Sequence, residues 1–181
     1  MIEKCDKYII DFQGEPIVTK FEFLKALAIA RVYGFKEYEK ALTFIKLNYS
    51  STIEGKEAER ILDEVLPTVK NDRFLKNDLS DNYKIVYQFD TVSNSDIDSQ
   101  ITSLKKYIDK VDYLDLTVSE DFYNNIVTFV VVHGLKSYDG GLGLAERLEN
   151  SIDIQAKSFF VISTDNYKTI QIHKNLDKFE K

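Results

Sequence analysis

Tyr83, Ile85, Tyr87 and Phe89 alternate with polar or smaller neighbours, a period of two that predicts a strand. Residues 126–132 are apolar at almost every position, the pattern of a central strand covered on both faces. Parity then divides them: Val127, Phe129 and Val131 on one face, Ile126, Thr128, Val130 and Val132 on the other. Between these segments Ile97, Ile101, Leu104 and Ile108 recur at helical spacing, and Ser95 with Asp98 is placed like a capping box. Leu114, Leu116 and Val118 alternate as a further strand. The spacing predicts a helix over 142–151, then a hairpin of strands 158–163 and 167–173 that turns at Thr164–Asn166.

The first 76 residues follow a different period. Segments 8–12 and 17–18 flank Gln13, Gly14, Glu15 and Pro16, which predicts a short hairpin. Residues 20–33 are apolar on nearly all sides, as in a buried helix ended by Gly34. Tyr38, Ala41, Leu42, Ile45 and Tyr49 mark a second helix over 36–49. Ala58, Ile61, Leu62, Val65 and Leu66 mark a third over 56–66, stopped by Pro67. Residues 70–82 are polar and rich in turn formers, the expected boundary. The expectation is an α+β chain: a hairpin-plus-helices domain over 1–76 and an acidic sheet domain over 77–181. The order β-α-β-β-α-β plus an edge strand resembles the ferredoxin-like, or split βαβ, arrangement with its third strand central.

Composition narrows the function classes. No apolar run is long enough to span a membrane, and Met1–Cys5 lacks the pattern of a signal peptide, so a cytoplasmic protein is expected. The single cysteine, Cys5, allows no intramolecular disulfide and no cysteine zinc cluster. The net charge of −6 resides in one segment. Between Asn77 and Asn125 stand Asp78, Asp81, Asp90, Asp96, Asp98, Asp109, Asp112, Asp115, Glu120 and Asp121, against only Lys84, Lys105, Lys106 and Lys110. Arg31, Arg60, Arg73 and Arg147 are scattered, so direct nucleic-acid binding is not expected.

Two other features invite chemistry. His133, Gly134, Lys136, Asp139, Gly140, Gly141 and Gly143 form a glycine-rich run between a strand and a helix, a place where backbone N–H groups can hold a phosphate. The run matches neither the Walker pattern nor the dinucleotide fingerprint, since Glu146 stands where a third glycine belongs. The alternative is a turn that needs positive φ. His133 and His173, the only histidines, would make a metal site only if both met a carboxylate such as Asp139, and no metal or other cofactor is expected. No Gly-x-Ser-x-Gly elbow exists, and no catalytic set is assigned.

Ser50, Ser51, Thr52, Ile53, Glu54 and Gly55 resemble the Ser/Thr-x-x-x-Glu-Gly/Asn inhibitory motif of Fic-family proteins and their antitoxins. The resemblance implies a glutamate that blocks a nucleotide phosphate position in a Fic active site. The Fic His-Pro-Phe segment is absent, so the role implied is that of an inhibiting partner, not a Fic enzyme. The other reading of these residues is a loop or helix start before Lys56. Leu27–Ile45 with Gly34 at the turn reads better as a helical hairpin than as a helix-turn-helix, because Glu37 and Glu39 oppose a phosphate-lined groove. Tyr83, Tyr87 and Phe89 read as core rather than as an RNA-stacking platform.

The leading expectation is a small protein that binds and inhibits or regulates another protein. It would present Asp90, Asp96, Asp98, Asp109, Asp112, Asp115, Glu120 and Asp121 to a basic partner. A nucleic-acid-handling partner fits that charge, for example a defence nuclease opposed by a phage-encoded inhibitor. The rivals are a nucleotide- or phosphate-binding enzyme or sensor using residues 133–143, and a structural or assembly subunit of undetermined oligomeric state.

Overall fold

The structure, a computed structural model, describes residues 1–76, 80–91, 94–110 (side chains from 97 onward) and 115–179. It is α+β, with eight α-helices and a four-stranded antiparallel sheet among those residues. The chain divides into two compact units, Met1–Arg73 with Thr169–Lys181, and Phe74–Lys168. Among the described residues no helix is long and apolar enough to cross a membrane.

The first unit is helical from its start. Helices α1 (Ile2–Asp11) and α2 (Val18–Tyr33) replace the expected hairpin. Tyr8, Ile9 and Ile10 are strand formers by type, but packing overrides that preference. Cys5, Tyr8 and Phe12 fall on one face at helical spacing; Cys5 is buried, and Tyr8 and Phe12 stack on Phe21 of α2 at ring distances of 5.1 and 6.0 Å. Helix α3 (Phe35–Asn48) follows at once, and α4 (Ile53–Arg60) begins at Thr52, whose hydroxyl accepts the Gly55 N–H at 3.0 Å. The expected single helix to residue 66 then loosens into a π turn, Ile61–Val65, and a 3₁₀ turn, Leu66–Val69. Ala26, Phe35, Leu42, Ile45, Ala58 and Leu66 form its core.

The second unit holds strands β1 (Tyr83–Asp90), β2 (Thr117–Phe122), β3 (Val127–Leu135) and β4 (Ser158–Ser163). Helix α5 (Asn94–Ile108) joins β1 to β2, and α6 (Tyr138–Ser151) joins β3 to β4. The sheet order is β2-β3-β1-β4, with every neighbouring pair antiparallel. Each helical crossover therefore skips one strand. The Ser95 side chain and Leu114, both used in the sequence reading, lie outside the described residues.

The segment expected as a fifth strand is helix α7 (Thr164–His173), followed by the short α8 (Leu176–Phe179). The division between the two units falls inside α7. Tyr167 and Ile170, three apart, are both buried, while Lys168 between them is exposed. The alternation of 167–173 is thus the 3–4 period of a helix sampled over too few residues. Ser163 starts α7 by accepting the Asn166 N–H at 3.3 Å, so 164–166 is a helix start and not a hairpin turn.

Strands β1 and β3 are buried on both sides. Ile85, Tyr87 and Phe89 lie opposite Val132, Val130 and Thr128, on the face that packs against Ile97, Leu104 and Leu148. On the other face Val86 lies opposite Val131, and Gln88 opposite Phe129. Ile126 is the exception: 68% exposed, it sits in the β2–β3 turn, where the Asn124 side chain accepts its N–H. Phe129 is fully buried, 4.7 Å from the Tyr123 ring and near those of Phe160 and Tyr167. Truncating it leaves a cavity as well as lost transfer energy. Phe129→Ala is expected to lower the unfolding free energy by about 3–5 kcal/mol in urea titration. A loss below ~1 kcal/mol would contradict this packing.

Candidate functional site

The second sheet face is not wholly apolar. Antiparallel register sets Lys84 of β1 opposite His133 of β3, and His133 opposite Thr117 of β2. Ser119 and Asp121 follow on the same face of β2 at intervals of two. Tyr167, in the first turn of α7, reaches this face from outside the sheet.

Their polar atoms form one chain. Lys84 Nζ lies 2.9 Å from His133 Nδ1, and His133 Nε2 lies 2.7 Å from Ser119 Oγ. Ser119 Oγ lies 2.9 Å from Asp121 Oδ1, and Tyr167 Oη donates to Asp121 Oδ2 at 2.6 Å. Lys84 Nζ also sits 5.8 Å from the centre of the Tyr167 ring.

Valence fixes the protons. An ammonium can only donate, so Nδ1 of His133 accepts. The imidazole is then the neutral Nε2–H tautomer and donates to Ser119, and Ser119 gives its single hydroxyl proton to Asp121. Every bond runs toward the carboxylate. A hydrolase triad runs the other way, with histidine taking the serine proton. Here the imidazole is a proton acceptor for Lys84 and not for Ser119.

Burial holds the His133 pKa below its ordinary value, the Lys84 charge adds to this, and Asp121 opposes it. Burial also pulls the Lys84 amine down; Asp121 opposes that, and Lys168 reinforces it.

Two residues expected for different purposes meet here: His133, from the glycine-run reading, and Asp121, from the acidic-surface reading. From sequence Lys84 stands only as a base among acids, Ser119 carries no signal of its own, and Tyr167 is expected on a strand. A visible signal did exist. Lys84 and His133 are ionisable residues on largely apolar strands, where a buried polar group needs a partner.

The other expected residues are placed elsewhere. Asp90 ends β1, Asp98 lies in α5, Asp109 follows it, Asp115 precedes β2 and Glu120 lies on β2, all five exposed. The Asp96 side chain and Asp112 lie outside the described residues. The glycine run is hardly a loop. His133 and Gly134 belong to β3, while Asp139, Gly140, Gly141 and Gly143 belong to the start of α6, which begins four residues before the expected 142. Only Lys136 and Ser137 lie between, and the Ser137 hydroxyl caps α6 by accepting the Gly140 N–H at 3.1 Å. Gly134 has φ +96°, and a Cβ there would collide with the Asp115 carbonyl oxygen. Gly141 packs on β4, where a Cβ would come 2.7 Å from Val161 Cγ1.

His173 lies 3.0 Å through Nε2 from the Val69 carbonyl oxygen and packs against the Phe35 ring. It therefore has a partner set different from that of His133. Among the described residues no three of His, Cys, Asp and Glu gather as metal ligands. In the Fic-like segment, Glu54 sits in the first turn of α4 and accepts the Thr19 hydroxyl at 2.8 Å.

The His133 shift links stability to pH. Its folded pKa lies below the unfolded value of about 6.5. The stabilisation is complete above 6.5. As the pH falls through 6.5, the unfolded chain takes up a proton that the folded chain resists, and stability drops. The urea midpoint is expected to fall between about pH 7.5 and pH 5.5, and to fall less steeply in His133→Gln. Identical pH slopes for the two proteins would rule out this linkage.

No protein-family model, no curated protein and no solved structure matches this chain.

Proposed function

We propose that the protein works by binding another protein through the acidic surface of its sheet unit, and that the partner is basic. A nucleic-acid-handling protein, such as a defence nuclease, has the charge this surface would meet. The observation supporting this is the isolation of the carboxylates. Asp90, Asp98, Asp109, Asp115 and Glu120 are exposed, and none has a basic group within 4.0 Å among the described residues. The described ion pairs use acids outside 77–125, such as Glu57 with Arg60 and Asp72 with Lys178. Unpaired surface carboxylates set up a field that speeds and orients the approach of a positive partner. The crossover pattern of the sheet supports reading this unit as ferredoxin-like, a superfold that hosts many functions and so adds nothing to the choice among them.

The test is a triple charge reversal, Asp98→Lys, Asp109→Lys and Asp115→Lys. These side chains are exposed, so the unfolding transition should move little. Affinity capture from the native host, read by mass spectrometry, is expected to retain a basic protein at low salt with the unaltered chain. The reversed variant should lose it, and so should raised salt, which screens exposed charges. Equal capture by both chains would end this reading.

A further inference from the structure

Lys84 and His133 form a pair that the binding reading does not use. We infer that Lys84 is a chemically activated amine, with His133 as its base, and that it forms a Schiff base with a small aldehyde or ketone. The geometry carries this. Lys84 Nζ lies 2.9 Å from a ring nitrogen that the tautomer leaves as a free acceptor. A nucleophile within hydrogen-bond reach of a base, with the base oriented by a further group, is the recurring arrangement of nucleophilic catalysis. Here the orienting group is Asp121, acting through Ser119. When His133 takes a proton, both ring nitrogens become donors. Nε2–H already points to Ser119 and so toward the carboxylate, which stabilises the imidazolium.

Burial helps by disfavouring the ammonium, as does Lys168 on α7, while Asp121 works against it. Lys174 provides the contrast. Burial and Arg31 bring its amine down to about 8, yet its Nζ donates to the Gln171 amide oxygen at 3.0 Å. An amide oxygen is a poor proton acceptor, so that bond supplies Lys174 no base comparable to an imidazole.

The step balances. The ammonium gives one proton to His133 Nδ1, and the Nζ lone pair attacks the carbonyl carbon. The carbonyl π pair moves to oxygen, which takes the proton from His133. His133 then removes a second proton from Nζ and delivers it to the hydroxyl, which leaves as water. Ammonium plus carbonyl yields protonated imine plus water, with no oxidant, reductant or metal.

The test uses the full chain, propanal and sodium cyanoborohydride, which reduces the imine to a stable propyl-lysine. Peptide mapping by mass spectrometry gives the initial labelling rate of each lysine. At pH 7.5 Lys84 is expected to be labelled severalfold faster than the exposed Lys105 and Lys110. His133→Gln should abolish that advantage and leave Lys174 unchanged. The Lys84 advantage should also shrink as the pH falls below 6.5 and His133 fills. Labelling of Lys84 no faster than Lys105 in the unaltered chain would overturn the inference, whatever the variants do. A Lys84 advantage that survives His133→Gln would assign it to burial alone and equally overturn the role of His133.

Discussion

Strands β1 and β3 are covered on both faces, so a polar side chain on either is costly unless it finds a partner within the protein, a cost that the buried Tyr87 hydroxyl bears among the described residues. Most positions avoid the demand by being apolar: Ile85, Val86, Val130, Val131 and Val132 are all fully buried. Thr128 meets it with a neighbouring hydroxyl, that of Thr91, at 3.3 Å. Lys84 and His133 meet it with each other. Because β1 and β3 run antiparallel, two residues 49 apart in sequence lie opposite each other. The pair follows from the register, and the register follows from keeping the apolar positions inside.

That solution constrains everything attached to it. A half-buried ammonium calls for a compensating negative charge. Asp121 supplies it on β2, the strand beyond His133, with Ser119 relaying the hydrogen bond. Its second oxygen takes the Tyr167 hydroxyl, which ties the start of α7 to the sheet. Asp121 therefore differs in kind from Asp90, Asp98, Asp109, Asp115 and Glu120, although all belong to the same acidic stretch of sequence. Those five face water, where a carboxylate contributes to the long-range field. Asp121 faces the protein, where it neutralises a specific cation.

Strands β1 and β3 and helices α5 and α6 were legible because each has enough residues for its period to show, whereas β2 lies at Thr117–Phe122, mostly beyond the expected alternation of Leu114, Leu116 and Val118. Two short segments misled. Residues 8–12 and 167–173 contain β-branched and aromatic residues in runs too brief to separate period two from period 3.6, and in both the neighbouring packing selected the helix. The glycine run was legible as special but not as to why. Gly134 is needed because β3 passes the Asp115 carbonyl, and Gly141 because α6 sits close on Val161. Neither neighbour lies near in sequence. Of the Lys84–His133–Ser119–Asp121 chain only the polar positions Lys84 and His133 stood out, and their partnership was hidden for the same reason in stronger form. The chain draws one residue each from β1 and β3 and two from β2, and the three strands bring them together only through the sheet register.

Isolated polar positions on buried strands carry more information than their number suggests. On β3 the sequence Val130, Val131, Val132, His133 ends an apolar run with a titratable group still on the sheet. A solvated imidazole there would need no explanation, but a half-buried one whose two nitrogens are both engaged has its protonation state dictated by its partners. The donor on one side, Lys84, cannot accept. The acceptor on the other, Ser119, is already committed to Asp121. Neutral His133 is the state consistent with both, and a neutral imidazole next to an ammonium is an acid–base pair one proton transfer away from a free amine. The arrangement that satisfies burial is therefore the same one that sets a base beside the Lys84 amine.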